Sequence, residues 1–134
     1  MTSLKQSSDA QAFQHLSLDH LPVEHLNPLL ERQLVSGERS MLARIILRAG
    51  CIVPMHSHDN EQITYVLEGA LKFHIQDREV VVRAGEVLVI PSQMPHSAEA
   101  LEDTVDLDIF SPPRQDWLQG TASYLRIGVF TRRH

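Results

Sequence analysis

Residues 50–69 constrain the fold of this chain more than any other segment. The segment begins and ends with glycine, which permits the sharp backbone turns found at strand ends, and it contains His56 and His58 one residue apart. On an extended strand, two residues at this spacing project their imidazoles from the same face. Turn-forming residues 59–60 follow, and residues 63–67 form a strand-like run. The segment therefore predicts a metal site on an antiparallel β-hairpin.

The return strand of this hairpin offers two residues that could face the histidines. Glu61 lies on one face of the strand with Ile63 and Tyr65, whereas Gln62 lies on the other face with Thr64. Side-chain parity decides between Glu61 and Gln62, and the local pattern alone leaves both of them open.

The composition is that of one globular domain. A chain of 134 residues is long enough for one domain with a core and too short for two of ordinary size. Hydrophobic residues make up 43% and charged residues 22%, which excludes disorder of the whole chain. The net charge is −5 with no basic cluster, so nucleic acid is a poor candidate partner. The single cysteine, Cys51, excludes an internal disulfide and is expected to be a small buried residue.

The N-terminal segment is polar. Residues 1–18 are rich in Ser, Gln and Ala without sustained periodicity, which predicts a flexible tail and leaves residues 19–134 as a single domain. No apolar run approaches the length needed to span a bilayer, and the polar start is unlike a signal peptide. We therefore expect a cytoplasmic protein with no membrane partner.

Short strand-like runs separated by turn residues fill most of the remaining chain. These runs are residues 30–35, 41–48, 70–75, 79–83, 87–90, 97–100 and 105–110. No long helix interrupts them, so the pattern predicts an all-β sandwich or barrel.

The spacing of the polar residues resembles the two motifs of the cupin family. The first motif is matched by His-x-His, three residues, Gln62, six residues and Gly69, with glutamine where glutamate is more common. The second is matched by residues 85–96, which end in a histidine, although Gln93 stands where glycine is usual. Ala100 also departs from the family, which often has asparagine there. Together the two motifs are specific in a way that neither is alone.

The cupin resemblance covers roughly residues 29–118 and implies a conical jelly-roll β-barrel, also called a double-stranded β-helix. It implies one divalent transition metal ion (zinc, nickel, iron or manganese), held by four side chains: His56, His58, Gln62 and His96. Three imidazoles and one oxygen donor leave coordination positions free for water or substrate. Because a glutamine ligand is neutral, the ion would keep its full charge and attract an anionic oxygen.

Residues 105–110 alternate between the two faces of one strand. Asp106, Asp108 and Phe110 share one face, and the aliphatic residues share the other. Because the aliphatic set competes for the core, we expect Asp106 to lie on the surface. Asp108 is expected to point into the barrel, where a buried carboxylate is either paired or functional.

Arg114 follows the two prolines that end this strand. Guanidinium groups bind carboxylates in a bidentate manner, so Arg114 is a candidate clamp for the carboxylate of a small anionic substrate. The alternative is an ion pair between Arg114 and Asp116, with Trp117 capping the end of the barrel.

Two runs resemble the KdgF group of small cupins in particular. These runs are Asp-x-Phe-Ser-Pro-Pro-Arg and His-Ser-His-x-x-Glu-Gln, at residues 108–114 and 56–62. The KdgF group converts unsaturated uronate monosaccharides from pectin and alginate into their linear keto forms. The resemblance implies a metal-dependent enzyme acting on a 4,5-unsaturated uronate, in which Asp108 moves a proton, Arg114 engages the carboxylate and Phe110 shapes the pocket.

Two other kinds of function are compatible with the same motifs. One is a different metal chemistry on the same barrel, such as an iron-dependent dioxygenase or a polyketide cyclase. The other is a cupin that binds a small ligand without catalysis. Because cupins commonly form dimers, the resemblance also implies a homodimer, with Ile63 and Tyr65 as candidates for its interface or for the packing between sheets.

Overall fold

The computed structural model describes residues 12–120 and 124–125. A 3₁₀ turn at Leu18–His20 precedes ten strands and one short helix, α1. The elements are β1 Glu24–Asn27, β2 Leu30–Ser36, β3 Met41–Leu47, β4 Ile52–His56, β5 Glu61–Glu68, β6 Ala70–Ile75, β7 Arg78–Arg83, β8 Val87–Ile90, β9 His96–Ala100, β10 Thr104–Ser111 and α1 Gln115–Gln119.

The strands form two antiparallel sheets. One has six strands in the order β1-β2-β3-β10-β5-β8, and the other has four in the order β4-β9-β6-β7. Neighbours in each sheet are often distant in sequence, as in a jelly roll, where strands close to one another in the chain are shared between two sheets. The predicted all-β jelly-roll fold is confirmed.

The predicted β-hairpin at residues 50–69 is wrong. Strand β4 pairs with β9 in the four-stranded sheet, whereas β5 pairs with β10 and β8 in the six-stranded sheet. The chain therefore crosses from one sheet to the other between His56 and Glu61. Turn-forming residues indicate that a strand ends there, but its partner is chosen by long-range pairing. The seven-residue register between β5 and β10 supplies that pairing.

The core lies between the two sheets and follows strand alternation. Along β3, every second residue from Met41 to Leu47 is buried. Cys51, just before β4, is completely buried, as predicted. On β10 the buried residues are Thr104, Asp106, Asp108 and Phe110, so the polar face of this strand points inward.

The expectation that Asp106 lies on the surface is therefore wrong. Asp106 lies opposite Ile45 of β3 and Val66 of β5, both of which are buried. Cross-strand neighbours lie on the same face of a sheet, so this register places Asp106 and Asp108 together in the interior. The aliphatic residues of β10 face outward instead, and Ile109 is 39% exposed.

The outer face of the six-stranded sheet carries several exposed apolar side chains. They are Tyr65, Leu67, Val87, Val89 and Ile109. The homodimer implied by the cupin resemblance remains a prediction, and Tyr65, one of the residues proposed for its interface, lies on this face.

The two predicted chain regions are only partly described. Residues 1–11 of the predicted tail, and residues 121–123 and 126–134 of the predicted domain, lie outside the described residues. Residues 12–17 are exposed and have no regular secondary structure. Within the described residues, no helix is both long and apolar enough to cross a membrane.

Two glycines differ in the space around them and provide a test of this fold. Gly69 and Gly85 have nearly the same positive φ, +87° and +88°. A Cβ on Gly69 would lie 2.5 Å from Thr104 Oγ1 and 2.8 Å from Thr104 Cα, whereas a Cβ on Gly85 would meet nothing within 4 Å. The backbone of β10 therefore approaches the β5–β6 junction too closely for any side chain.

We expect Gly85→Ala to lower the free energy of unfolding by about 1–2 kcal/mol, the cost of a left-handed backbone for a residue with a Cβ. Gly69→Ala should lower the free energy of unfolding by the same amount and by about 1–3 kcal/mol more, because of the steric clash. Urea denaturation of the two variants checks this difference. Equal losses would contradict the close approach at Gly69.

Candidate metal centre

Three histidines converge at one end of the space between the sheets. His56 is the last residue of β4 and lies opposite His96, the first residue of β9, while His58 lies in the segment that crosses toward β5. Their ring centroids are 4.4–5.5 Å apart. One nitrogen from each ring lies within 4.8 Å of the others, so the three histidines could hold one metal ion. The structure thus brings together the three predicted histidine ligands.

Backbone carbonyls fix the orientation of each ring. The Nδ1 atom of each histidine lies 2.7–3.0 Å from the carbonyl oxygen of a residue two positions away. These carbonyls belong to Pro54 for His56, Asn60 for His58 and Met94 for His96. A neutral imidazole that donates from Nδ1 keeps its Nε2 lone pair for a metal, which is the usual arrangement of metal-ligating histidine.

The surroundings of the histidines keep them neutral. Burial lowers the pKa of His56 and of His58 to about 4, and the nearby Arg114 cation contributes to both shifts. Burial also lowers the pKa of His96, with a further contribution from Arg114. Metal binding requires deprotonated ligands, so this site meets that requirement at neutral pH.

Gln62 joins the cluster from the other sheet. Its Oε1 lies 3.0 Å from His58 Nε2, and its Nε2 donates a hydrogen bond to Thr64 Oγ1 at 2.8 Å. The Thr64 hydroxyl in turn donates to Asp108 Oδ1 at 2.7 Å. Because the Thr64 hydroxyl donates its one proton to the carboxylate, it can only accept a hydrogen bond from the amide nitrogen of Gln62. The amide oxygen of Gln62 is therefore turned toward the histidines.

This arrangement fits a cation. When His58 donates from Nδ1 to Asn60, its Nε2 and the Oε1 of Gln62 are two acceptors facing each other. A metal ion between them would turn that repulsion into attraction. The residue set of three neutral nitrogens and one amide oxygen suits zinc, iron or nickel.

Two carboxylates lie deeper on the same face of β10. Burial raises the pKa of Asp108 to about 6, although its bond from Thr64 and the Arg114 cation lower it in part. Burial and the charge of Asp108 raise the pKa of Asp106 well above its usual range. Both side chains line the same cavity as His56.

Arg114 and Phe110, the two residues proposed from the sequence to contact a substrate, also line this cavity. The Nε and Nη2 atoms of Arg114 bond to the two carboxylate oxygens of Asp116 at 2.9 and 2.7 Å, which is the alternative that the sequence left open. Nη2 also donates to the hydroxyl of Tyr124, at 2.8 Å, and Nη1 has no partner among the described residues. Arg114 is therefore fixed by protein on one edge of its guanidinium and retains the NH2 group of Nη1 for a ligand.

The cavity is small. Its volume is about 50 Å³, against the roughly 10–15 Å³ that one water molecule needs. Aromatic side chains form part of its wall: Phe110 packs edge-on against His58 and Trp117, with ring centroids 5.7 and 4.9 Å away. The site is thus suited to a small molecule.

Three residues of the site were not predicted from the sequence. They are Arg32 on β2, Thr64 on β5 and Tyr124, whose ring stacks on His56 at 4.6 Å. A signal existed for Arg32, which interrupts the leucines at positions 30 and 34 on one face of its strand. Thr64 shares the face of Gln62, but its hydrogen bonds depend on the pairing of β5 with β10.

Comparison with known proteins identifies the family. Residues 43–111, just over half of the chain, match the family model described as a cupin domain. The chain belongs to the cupin family. The matched region contains His56, His58, Gln62 and His96, and it ends at the last residue of β10.

Individual cupins with a similar sequence or structure include KdgF proteins, which confirms the resemblance to that group. The pectin degradation protein KdgF of Dickeya dadantii is 28% identical over 75% of this chain and 94% of its own length. The structure of KdgF from a Halomonas species superposes with a TM-score of 0.73, at 26% identity over 78% of this chain and 99% of that one. An oxalate-binding protein of Thermotoga maritima is 32% identical over 62% of this chain and 69% of its own.

We expect Thr64→Val to weaken metal binding by about 10–100-fold, because the amide of Gln62 loses the acceptor that orients it. Thr64→Ser, which keeps the hydroxyl, should bind metal nearly as well as the wild type. Competition titration of zinc against a chelator measures both affinities. Equal affinities for the valine and serine variants would show that Thr64 does not orient Gln62.

The histidine cluster also predicts a pH dependence of stability for the metal-free protein. Between about pH 6.5 and pH 4 the unfolded chain binds protons that folded His56 and His58 do not. The free energy of unfolding should therefore decrease as the pH is lowered through this range. Each histidine contributes on the order of 1–2 kcal/mol between pH 7 and 5.

Urea denaturation at pH 7 and pH 5 after chelator treatment measures this loss. His56→Gln should lose less stability than the wild type on acidification. A loss in His56→Gln as large as that of the wild type would contradict the assignment of His56 as a buried neutral imidazole.

Proposed function

We propose that this cupin is a metal-dependent enzyme that converts a 4,5-unsaturated uronate into its linear keto form. The observation that carries the proposal is the combination found in one cavity: a neutral metal-type histidine cluster, the buried carboxylate of Asp108 and the unpartnered Nη1 of Arg114. The similarity to the Dickeya pectin degradation protein supports the choice of substrate.

The metal ion would be held by His56, His58, Gln62 and His96. When bound, a divalent ion supplies a Lewis acid that polarises an oxygen of the substrate. All four side chains are neutral, so they do not cancel the charge of the ion, and the cavity favours an anionic ligand.

Asp108 is the group proposed to move protons. Ring opening of an unsaturated uronate removes the proton of the anomeric hydroxyl, breaks the bond between C1 and the ring oxygen, and adds a proton at C4 as C5 becomes a ketone. No oxidant or water is consumed overall. A carboxylate whose pKa is raised to about 6 by burial can accept the first proton and return the second near neutral pH.

Arg114 is proposed to hold the carboxylate of the substrate. Its Nη1 is buried and has no partner in residues 12–120 and 124–125, while Asp116 and Tyr124 hold the rest of the guanidinium in place. A fixed cation loses little conformational entropy when a ligand binds. Phe110 supports this group, because the Arg114 guanidinium lies over its ring at 5.1 Å.

We expect Asp108→Asn to reduce turnover at least about 100-fold without loss of metal, since the amide cannot take the proton. The assay follows the ultraviolet absorbance of unsaturated galacturonate or mannuronate monomers with metal-loaded protein. His96→Ala serves as the metal-site control, and Asp77→Asn, in the exposed turn between β6 and β7, serves as the matched carboxylate control. Unchanged turnover in Asp108→Asn would remove this residue from the mechanism.

The Thermotoga relative favours a second candidate, a cupin that binds a small carboxylate without converting it. The same cavity would serve, with the metal ion and Arg114 as the anion-binding groups. A tight complex with oxalate or galacturonate, with no product after long incubation, would support this candidate. Oxygen uptake on addition of ferrous iron and substrate would instead indicate a dioxygenase.

A further inference from the structure

Unpartnered buried polar atoms cluster in the cavity. Among the described residues, four buried side-chain atoms have no hydrogen-bond partner, and each of the four residues lines this cavity. The atoms are Arg32 Nη1, Asp106 Oδ1, Arg114 Nη1 and Trp117 Nε1. Buried polar groups are almost always bonded, so their concentration in one place indicates a bound ligand or ordered water. Three of the four are donors, which indicates an anion.

Arg32 brings a second cation into this cavity. It is only 2% exposed and lies on the inner face of β2, in line with Ile45 of β3 and Asp106 of β10 across the sheet. Its Nε and Nη2 bond to the two carboxylate oxygens of Glu24 at 2.9 and 3.4 Å. Nη1 is the nitrogen of Arg32 that has no partner within the described part of the chain.

Arg32 and Arg114 are held in the same way. In each, a nearby carboxylate occupies Nε and Nη2, and Nη1 is buried without a partner. Both guanidiniums pack against the ring of Trp117, with Cζ atoms 4.5 and 4.7 Å from its centroid. Trp117 thus connects two fixed cations from opposite ends of the described chain.

We propose that Arg32 is a second anion-binding residue of the cavity, and that the Nη1 groups of Arg32 and Arg114 together bind the carboxylate of a small ligand. Guanidinium groups suit this task because they are always charged and hold their donors in a rigid plane. The choice of a uronate as the probe rests on the proposed function, whereas the anion site itself rests on the contacts of the two arginines.

The experiment compares two sugars that differ in one group. Isothermal titration of the metal-loaded protein with D-galacturonate and with D-galactose measures the contribution of the carboxylate, because galactose carries a hydroxymethyl group in its place. We expect the wild type to prefer galacturonate, and Arg32→Gln to lose about tenfold or more of that preference. Thermal midpoint and metal content establish that each variant is folded and loaded.

Two matched variants separate binding from a purely structural role. Glu24→Gln removes the same ion pair but keeps the cation, so its preference for galacturonate should fall less than that of Arg32→Gln. Arg44→Gln removes an arginine of β3 that bonds to Asp19 and does not line the cavity, so it should not change the preference. Losses of similar size in Arg32→Gln and Glu24→Gln would overturn the proposal, as would an unchanged preference in Arg32→Gln.

A variant with the charge retained covers the case in which Arg32→Gln does not fold. In Arg32→Lys, one ammonium group must serve both Glu24 and the ligand, and we expect the galacturonate preference to fall by about threefold or more. A wild-type preference in Arg32→Lys would overturn the proposal in that case.

Failure of the proposed reaction can be distinguished from failure of this site. Galacturonate has no double bond between C4 and C5, so its binding does not depend on turnover. Absence of turnover together with a preference that requires Arg32 would reject the uronate reaction and support the anion site. Equal binding of the two sugars to the wild type would overturn the anion site whatever the turnover.

Discussion

The single hydroxyl proton of Thr64 sets the direction of the hydrogen bonds inside this barrel. Thr64 lies between the amide of Gln62 and the carboxylate of Asp108, and it can donate to only one of them. Its bond to the carboxylate sets the direction of the amide, and the amide oxygen then completes the histidine cluster. A glutamate in place of Gln62 would have no proton to offer Thr64 and would add a second negative charge beside Asp108, so the neutral ligand and the buried acid depend on each other.

The two arginines of the cavity are each paired with one carboxylate, and the pairing leaves part of each guanidinium free. The guanidiniums of Arg32 and Arg114 are held by Glu24 and Asp116, carboxylates that retain some contact with solvent. A buried cation without a counterion would be costly, and one with every donor engaged would have nothing left for a ligand. Each arginine meets both demands, because its partner carboxylate binds Nε and Nη2 and leaves Nη1 directed elsewhere. The positive charge of the cavity is thereby kept at little cost to the fold.

Much of this could be predicted from short-range patterns, and the errors share one physical origin. The spacing of the two cupin motifs identified the jelly roll and the histidines that meet, although His58 lies just beyond the end of β4 and not on that strand. Asp106 was wrongly placed on the surface, although alternation puts it on the same face as the inward Asp108, and the hairpin at residues 50–69 was wrong because turn residues end a strand without choosing its partner. That choice is made by strands distant in sequence. Arg32 was overlooked for the same reason, since its importance comes from Trp117 on α1.

The division of the proposed ligands between two sheets would link metal preference to the packing of the core. His56 and His96 are fixed to the four-stranded sheet and Gln62 to the six-stranded sheet, so the gap that an ion must fill is set by the distance between the sheets. That distance is determined by the apolar side chains packed between them, such as Phe73 and Val66. Ion size and coordination number can therefore be tuned by substitutions that touch no ligand, and relatives with the same four ligands need not select the same metal.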